Sequence, residues 1–187
     1  MVVILLVAAM PWLGNAASSL ALKDLDGVIR TPLETGGLTA AVLLFVTHDC
    51  PIANGYAPEY RRLREEYATN KISFTLVYVD PDAGLDQLRK HRDEYGLAQL
   101  RAIHDRRHQL VAAVGAEMTP EAVVLTAEGK IVYRGRVDNL YADYGKRRRE
   151  ATKRDLRNAL DAVLAGKPVP NPRTEAIGCY IPPLNLP

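Results

Sequence analysis

Two apolar runs, Ala40–Val46 (AAVLLFV) and Ile72–Val79 (ISFTLVYV), flank a charged segment whose apolar residues recur every three or four positions. A run that does not alternate with polar residues suits a strand covered on both faces. Between the runs, Tyr56, Tyr60, Leu63 and Tyr67 fall on one stripe of a helix. A strand–helix–strand unit with a crossover of this length pairs its strands in parallel. The chain is therefore expected to build an α/β domain, with a central sheet sandwiched by helices.

The rest of the sequence fits around that unit. Leu22 to Ile29 alternates around Asp26-Gly27 and predicts a short hairpin. A helix is expected near Leu85 to Tyr95, a short strand near Ala102 to His104 and a brief helix around Gln109 to Val114. Glu121–Thr126 and Lys130–Arg136, joined by Ala127-Glu128-Gly129, read as a second hairpin. The last helix is placed at Thr152 to Ala165, with Leu156, Leu160, Val163 and Leu164 inward and Gly166 as its stop. Pro168, Pro170 and Pro172 forbid helix beyond it and mark an extended tail.

Net charge excludes one class of partner. With a formal charge of +2 over 187 residues, no global basic field argues for nucleic acid. The dense cluster Lys146-Arg147-Arg148-Arg149 is expected to be a solvated turn and first helical turn. Met1 to Leu13 is apolar and uncharged and is followed by Gly14-Asn15-Ala16-Ala17. An apolar stretch of about ten residues is too short to span a bilayer, which takes roughly 20. It reads as a secretion signal over residues 1–17, although no Lys or Arg precedes it; a buried N-terminal strand is the alternative. The expected organisation is a signal at 1–17, a domain at 18–166 and a Pro-rich tail at 167–187. The mature protein would be periplasmic or secreted, with no membrane span.

The chain has two cysteines, Cys50 and Cys179, and no C-x-x-C or Cys/His cluster with zinc spacing. Cys50 directly follows the first buried strand and opens the next helix. Unpaired helical N–H groups and the helix dipole favour an anion there, and a thiol at such a place can ionise more readily than a free one. Pro51 suits the first helical position, where its missing N–H costs nothing.

At these residues the sequence resembles a family. Thr47-His48-Asp49-Cys50-Pro51 is similar to the active-site turn of the thioredoxin-like superfamily, in particular redoxin domains of the AhpC/TSA type. Pro58 matches the helix-kinking proline of thioredoxins, and Met118-Thr119-Pro120-Glu121 with the following AVVLTAEGKIVYRG resembles the cis-proline loop and closing hairpin of that fold. The resemblance covers roughly residues 20–166. It implies a thioredoxin-like α/β fold, a central mixed sheet flanked by helices, with Pro120 facing Cys50 and shaping a surface where a substrate disulfide docks. The tail motif Gly178-Cys179-Tyr180-Ile181 also resembles the ending of bacterial redoxin-domain proteins with a D-C-P-x-x-N-x-Y-x-P centre.

The departures are equally informative. Thioredoxin's second cysteine would fall on Ala53, and the second cysteine of copper-delivering Sco proteins on Asn54. Peroxiredoxins carry a proline where this chain has Leu43, and only Arg134 and Arg136 are candidates for activating a peroxide. Cys50 has no local partner, leaving Cys179 as a resolving thiol, a permanent staple, or a thiol bridging to another molecule. The intervening tail can extend about 40 Å, enough to reach Cys50.

The expected activity is thiol-dependent oxidoreduction. Cys50 attacks a protein or small-molecule disulfide, or a peroxide, and the product is resolved by Cys179 or by an external thiol reductant. Catalytic candidates are Cys50, Cys179 and Thr47; His48, Pro51, Thr119 and Pro120 are expected to form the substrate cradle. No cofactor and no resident metal is expected. The alternative is a copper-handling or non-catalytic binding module using His48 and Cys50, with a third ligand from His104, His108 or Cys179. His91 is expected at the surface. Tyr141 and Tyr144, with Asp138 and Asp143, are expected in the loop before the last helix, either packing or lining a docking face.

Overall fold

The computed structural model describes residues 20–184; the segment read as a signal lies outside the described residues. A five-stranded sheet is built from β3 (Ala40–Val46), β4 (Ile72–Tyr78), β5 (Arg101–His104), β7 (Glu121–Thr126) and β8 (Ile131–Gly135). Its order is β5-β4-β3-β7-β8; β4 runs parallel to β3 and β5, whereas β7 runs antiparallel to β3 and β8. The N-terminal hairpin forms from β1 (Leu22–Lys23) and β2 (Ile29–Arg30).

All seven residues of the central strand β3 are buried, and their alternation feeds two cores. Val42, Leu44 and Val46 join Ile52, Tyr56, Tyr60 and Leu63 on one face, with Leu156 and Leu160. Leu43 and Phe45 join Ile103, Leu110 and Val114 on the other. Helices α1 (Pro51–Gly55), α2 (Ala57–Glu66), α3 (Leu85–Glu94) and α5 (Asp155–Leu164) contribute to the first core, and α4 (Gln109–Val114) to the second. The tyrosine stripe is buried along its whole length, and the helix after Cys50 breaks between Gly55 and Ala57, beside Pro58. Among the described residues, no helix is long and apolar enough to cross a membrane.

Two segments differ from the sequence expectation. The basic cluster is not helical: Lys146–Arg147 (β10) pairs with Tyr141–Asp143 (β9) in an exposed hairpin. Helix α5 begins at Asp155 because Asn139 holds the preceding residues extended, its side-chain oxygen accepting the Thr152 and Lys153 N–H groups at 2.8 Å each. Tyr144 is exposed, whereas Tyr141 packs over Tyr56 and against Gly55.

After α5 the chain returns along the sheet edge. The Arg134 N–H donates to Pro172 O at 2.9 Å and the Thr174 N–H to Arg134 O at 3.1 Å. The Thr174 hydroxyl accepts the Arg136 N–H and shares a 2.7 Å bond with the Tyr133 hydroxyl. A Cβ on Gly135 would lie 2.4 Å from Thr174 O, so glycine is what lets the tail approach this closely. Cys179–Tyr180 (β11) then pairs antiparallel with Met118–Thr119 (β6), Cys179 opposite Thr119.

Candidate active site

The C-terminal end of β3 is where the sheet changes from parallel to antiparallel pairing, and Cys50 lies just beyond it. Cys50 caps α1, its sulfur accepting the Ala53 N–H at 3.5 Å while its S–H donates to Thr119 O at 3.3 Å. It is only 1% exposed. Pro51 is exposed and occupies the start of the helix.

The tail brings the second sulfur to this point. Cys179 is half-buried and stands opposite Thr119, the residue whose carbonyl accepts from Cys50; both cysteines are free thiols. Burial, followed by the neighbouring Cys50 side chain and its charge, pushes the Cys179 thiol up to about 12. The Thr119–Pro120 peptide is cis. Thr119, fully buried, ties the pieces together: its hydroxyl lies 3.5 Å from that of buried Thr47 and donates to Cys179 O at 3.4 Å. Thr119 and Pro120, expected in the substrate cradle, lie buried beneath the tail. A Cβ on Gly178 would sit 2.0 Å from Thr119 O.

His48 is turned toward the loop after β4. Its Nδ1 lies 2.5 Å from Asp80 Oδ1, which also accepts the His48 backbone N–H, and its Nε2 is 2.6 Å from the Gln87 amide. Burial raises the Asp80 carboxyl, an effect the His48 bonds oppose. Asp80 Oδ2 is buried without a hydrogen-bond partner among the described residues. These residues line a cavity of about 380 Å³ with Asp49, Asp82, Pro182 and Pro183. A larger cavity, about 740 Å³, lies at the opposite end of the sheet around the β7–β8 turn and has no thiol or imidazole in its lining.

His91 is not at the surface. It is 8% exposed, bonded through Nδ1 to the Tyr78 hydroxyl and through Nε2 to Asn54 Oδ1, whose amide in turn donates to His48 O. Burial, with the charge of His48 second, lowers its imidazole to about 4. The polar stretch around it concealed an inward turn of α3, where His91 lies beneath Leu88 at helical spacing. The Nε2 atoms of His104 and His108 bond the carbonyls of Asp80 and Val79. Arg134 is bound to the carbonyls of Val114 and Gly115 and to Glu117 and Glu121, and Arg136 to Asp155. Neither arginine is positioned on Cys50 by these contacts.

Asp80, Gln87, Asn54 and Gly178 were missed in the sequence. A signal existed for Asp80: Val46 pairs with Tyr78 in parallel register, so the second residue after each strand, His48 and Asp80, stands side by side.

Comparison with known proteins places this arrangement in a lineage. A crystal structure of an uncharacterized conserved protein from Geobacillus kaustophilus matches with a TM-score of 0.77 and 26% identity, over 90% of each chain. A hypothetical protein from Sinorhizobium meliloti matches with a TM-score of 0.75 and 26% identity, over 88% of this chain and 91% of that one. A secreted Mycobacterium tuberculosis disulfide oxidoreductase homologous to E. coli DsbE shares the fold, with a TM-score of 0.56 and 18% identity, over 79% of this chain and 96% of that one. No curated protein is significantly similar in sequence. The AhpC/TSA family model matches residues 13–134, spanning β3, the Cys50 turn, the cis-proline loop and most of the closing hairpin, and the chain belongs to the AhpC/TSA family, with a thioredoxin-like fold.

Proposed function

We propose that the protein is an exported thiol–disulfide oxidoreductase cycling between a Cys50/Cys179 dithiol and a Cys50–Cys179 disulfide. The observation that carries this reading is the meeting of both cysteines at the cis-proline loop, Cys50 bonded to Thr119 O and Cys179 paired opposite Thr119. A substrate disulfide R–S–S–R′ is attacked by the Cys50 thiolate, releasing R′S⁻ and leaving Cys50–S–S–R. The Cys179 thiolate then attacks Cys50 Sγ, releasing RS⁻ and closing the protein disulfide; two electrons have passed to the substrate. An external dithiol restores the reduced protein, and the same steps in reverse oxidise a substrate dithiol.

The surroundings give the two thiols an order. Cys179 is held protonated by burial first and by its neighbour Cys50 second, and the part due to Cys50 falls away once that sulfur is in a mixed disulfide. Cys179 therefore ionises more readily at the step that needs its thiolate. Because Cys50 is buried beneath residues of the tail, a protein disulfide gains access when the 176–180 segment lifts from β6. Disulfide exchange is favoured over peroxide reduction because Arg134 and Arg136 are engaged elsewhere. The apolar segment Met1–Leu13, together with the secreted M. tuberculosis structural neighbour, supports export.

The test is to mix reduced protein with glutathione disulfide, quench with acid, alkylate, and map the products by mass spectrometry. The wild type should accumulate a Cys50–Cys179 disulfide reversible by a dithiol; Cys179→Ser should stop at a Cys50–glutathione adduct. An unmodified Cys50 in the Cys179→Ser protein, or a wild type that never closes the disulfide, would overturn the proposal.

A further inference from the structure

We infer that His48, Asp49 and Asp80 form a binding site for a divalent first-row transition cation such as Zn²⁺, in the cavity beside the thiols. One ligand atom from each residue, the His48 ring nitrogen and a carboxylate oxygen from each aspartate, lies within 4.8 Å of the other two. A cation about 2.0–2.2 Å from each would bring such atoms into one coordination sphere with small side-chain adjustments.

The second, independent observation is Asp80 Oδ2. Asp80 is 5% exposed and lines the cavity, yet this oxygen has no hydrogen-bond donor among the described residues. A buried carboxylate oxygen without a donor is costly. Oδ1 already serves the His48 backbone and ring, so Oδ2 is the acceptor left for a cation. Asp49 is exposed at the cavity mouth, so two carboxylates balance a 2+ charge. Imidazole nitrogen with carboxylate oxygens is a borderline donor set that suits zinc and its neighbours better than Ca²⁺, which takes oxygen donors alone.

The imidazole is held for the task. Nδ1 binds a cation only when it carries no proton, so the neutral ring's one proton sits on Nε2 in the bound state. That Nε2 proton donates to the Gln87 side chain, whose amide presents its oxygen after a half-turn. Gln87 thus orients His48 in either tautomer, as outer hydrogen bonds commonly do for metal-ligating histidines. Pro182 and Pro183 of the tail form part of the wall, leaving the remaining coordination positions to water within the cavity.

Calorimetric titration of the reduced protein with Zn²⁺ tests the inference. The expected result is one-to-one binding, weakened about tenfold or more in both Asp80→Asn and Asp49→Asn. Affinity should be unchanged in the Cys50→Ser/Cys179→Ser protein, and a Co²⁺ titration should show no sulfur-to-metal charge-transfer band. Asp49 is exposed, so its variant keeps the fold even where Asp80→Asn perturbs it. Absence of binding, full affinity in Asp49→Asn, or loss of binding with the thiols would overturn the site.

Discussion

Adding one methyl group at Gly178 should uncouple the two cysteines while leaving Cys50 reactive. A Cβ there would sit 2.0 Å from Thr119 O and 2.7 Å from its carbonyl carbon. Ordinary contact between such atoms is about 3.5 Å, so β11 must retreat from β6 by roughly 1.5 Å. Thr119 is fully buried and its carbonyl accepts from Cys50, which leaves the tail as the side that moves. A misplacement of this size costs about 10²-fold in a step that depends on alignment, and disulfide closure tolerates only a narrow range of Cα separations, about 4.4–6.8 Å. In Gly178→Ala the Cys50–glutathione adduct should form at least as fast as in the wild type, since the covering segment is loosened. Its conversion to the Cys50–Cys179 disulfide should slow by about 10²-fold. Global stability should fall by about 1–3 kcal/mol, as for other overpacked sites. Rapid mixing, acid quench and mass spectrometry follow both steps. Wild-type closure kinetics in the variant would refute the argument, because they would mean that the tail geometry at β6 does not set the encounter.

Two further predictions concern stability. The folded chain keeps His91 neutral down to about pH 4, whereas the unfolded imidazole protonates near 6.5. Between these values the unfolded state binds the extra proton, so stability present above pH 6.5 is lost as pH falls toward 4, by up to about 3 kcal/mol. His91→Gln should flatten that part of the urea-unfolding profile relative to the wild type, and an identical pH slope in both proteins would sink the idea. Tyr60 is 1% exposed and its hydroxyl has no partner among the described residues, so Tyr60→Phe should be neutral or stabilising by about 1 kcal/mol; thermal unfolding that shows a clear loss would reveal a donor or acceptor for that hydroxyl.

The sequence by itself carried most of the architecture, because the signals involved are local. The alternation-free runs of β3 and β4 and the tyrosine stripe of α2 report burial directly, and the position of Cys50 at the end of a strand follows from counting. Thr119-Pro120 was legible as the loop facing Cys50. Irregular connections were less legible. The basic cluster became a β-hairpin and α5 started late because Asn139, distant from neither but in no periodic pattern, organises that loop. His91 looked solvated because its neighbours are charged; its burial depends on Tyr78 and Asn54 supplying both ring partners.

What only the tertiary structure decided is where the tail ends. Chain length allowed Cys179 to reach Cys50 but could not select that position among many. The choice is made by backbone bonds to β8, by β11–β6 pairing, and by Gly135 and Gly178, whose missing side chains permit the approach. The cluster of His48, Asp49 and Asp80 has the same origin, since parallel register sets His48 beside Asp80 across about thirty intervening residues. Composition and periodicity report how each residue meets solvent. Which two distant residues meet each other is set by strand register and close backbone packing, and those exist only once the chain has folded.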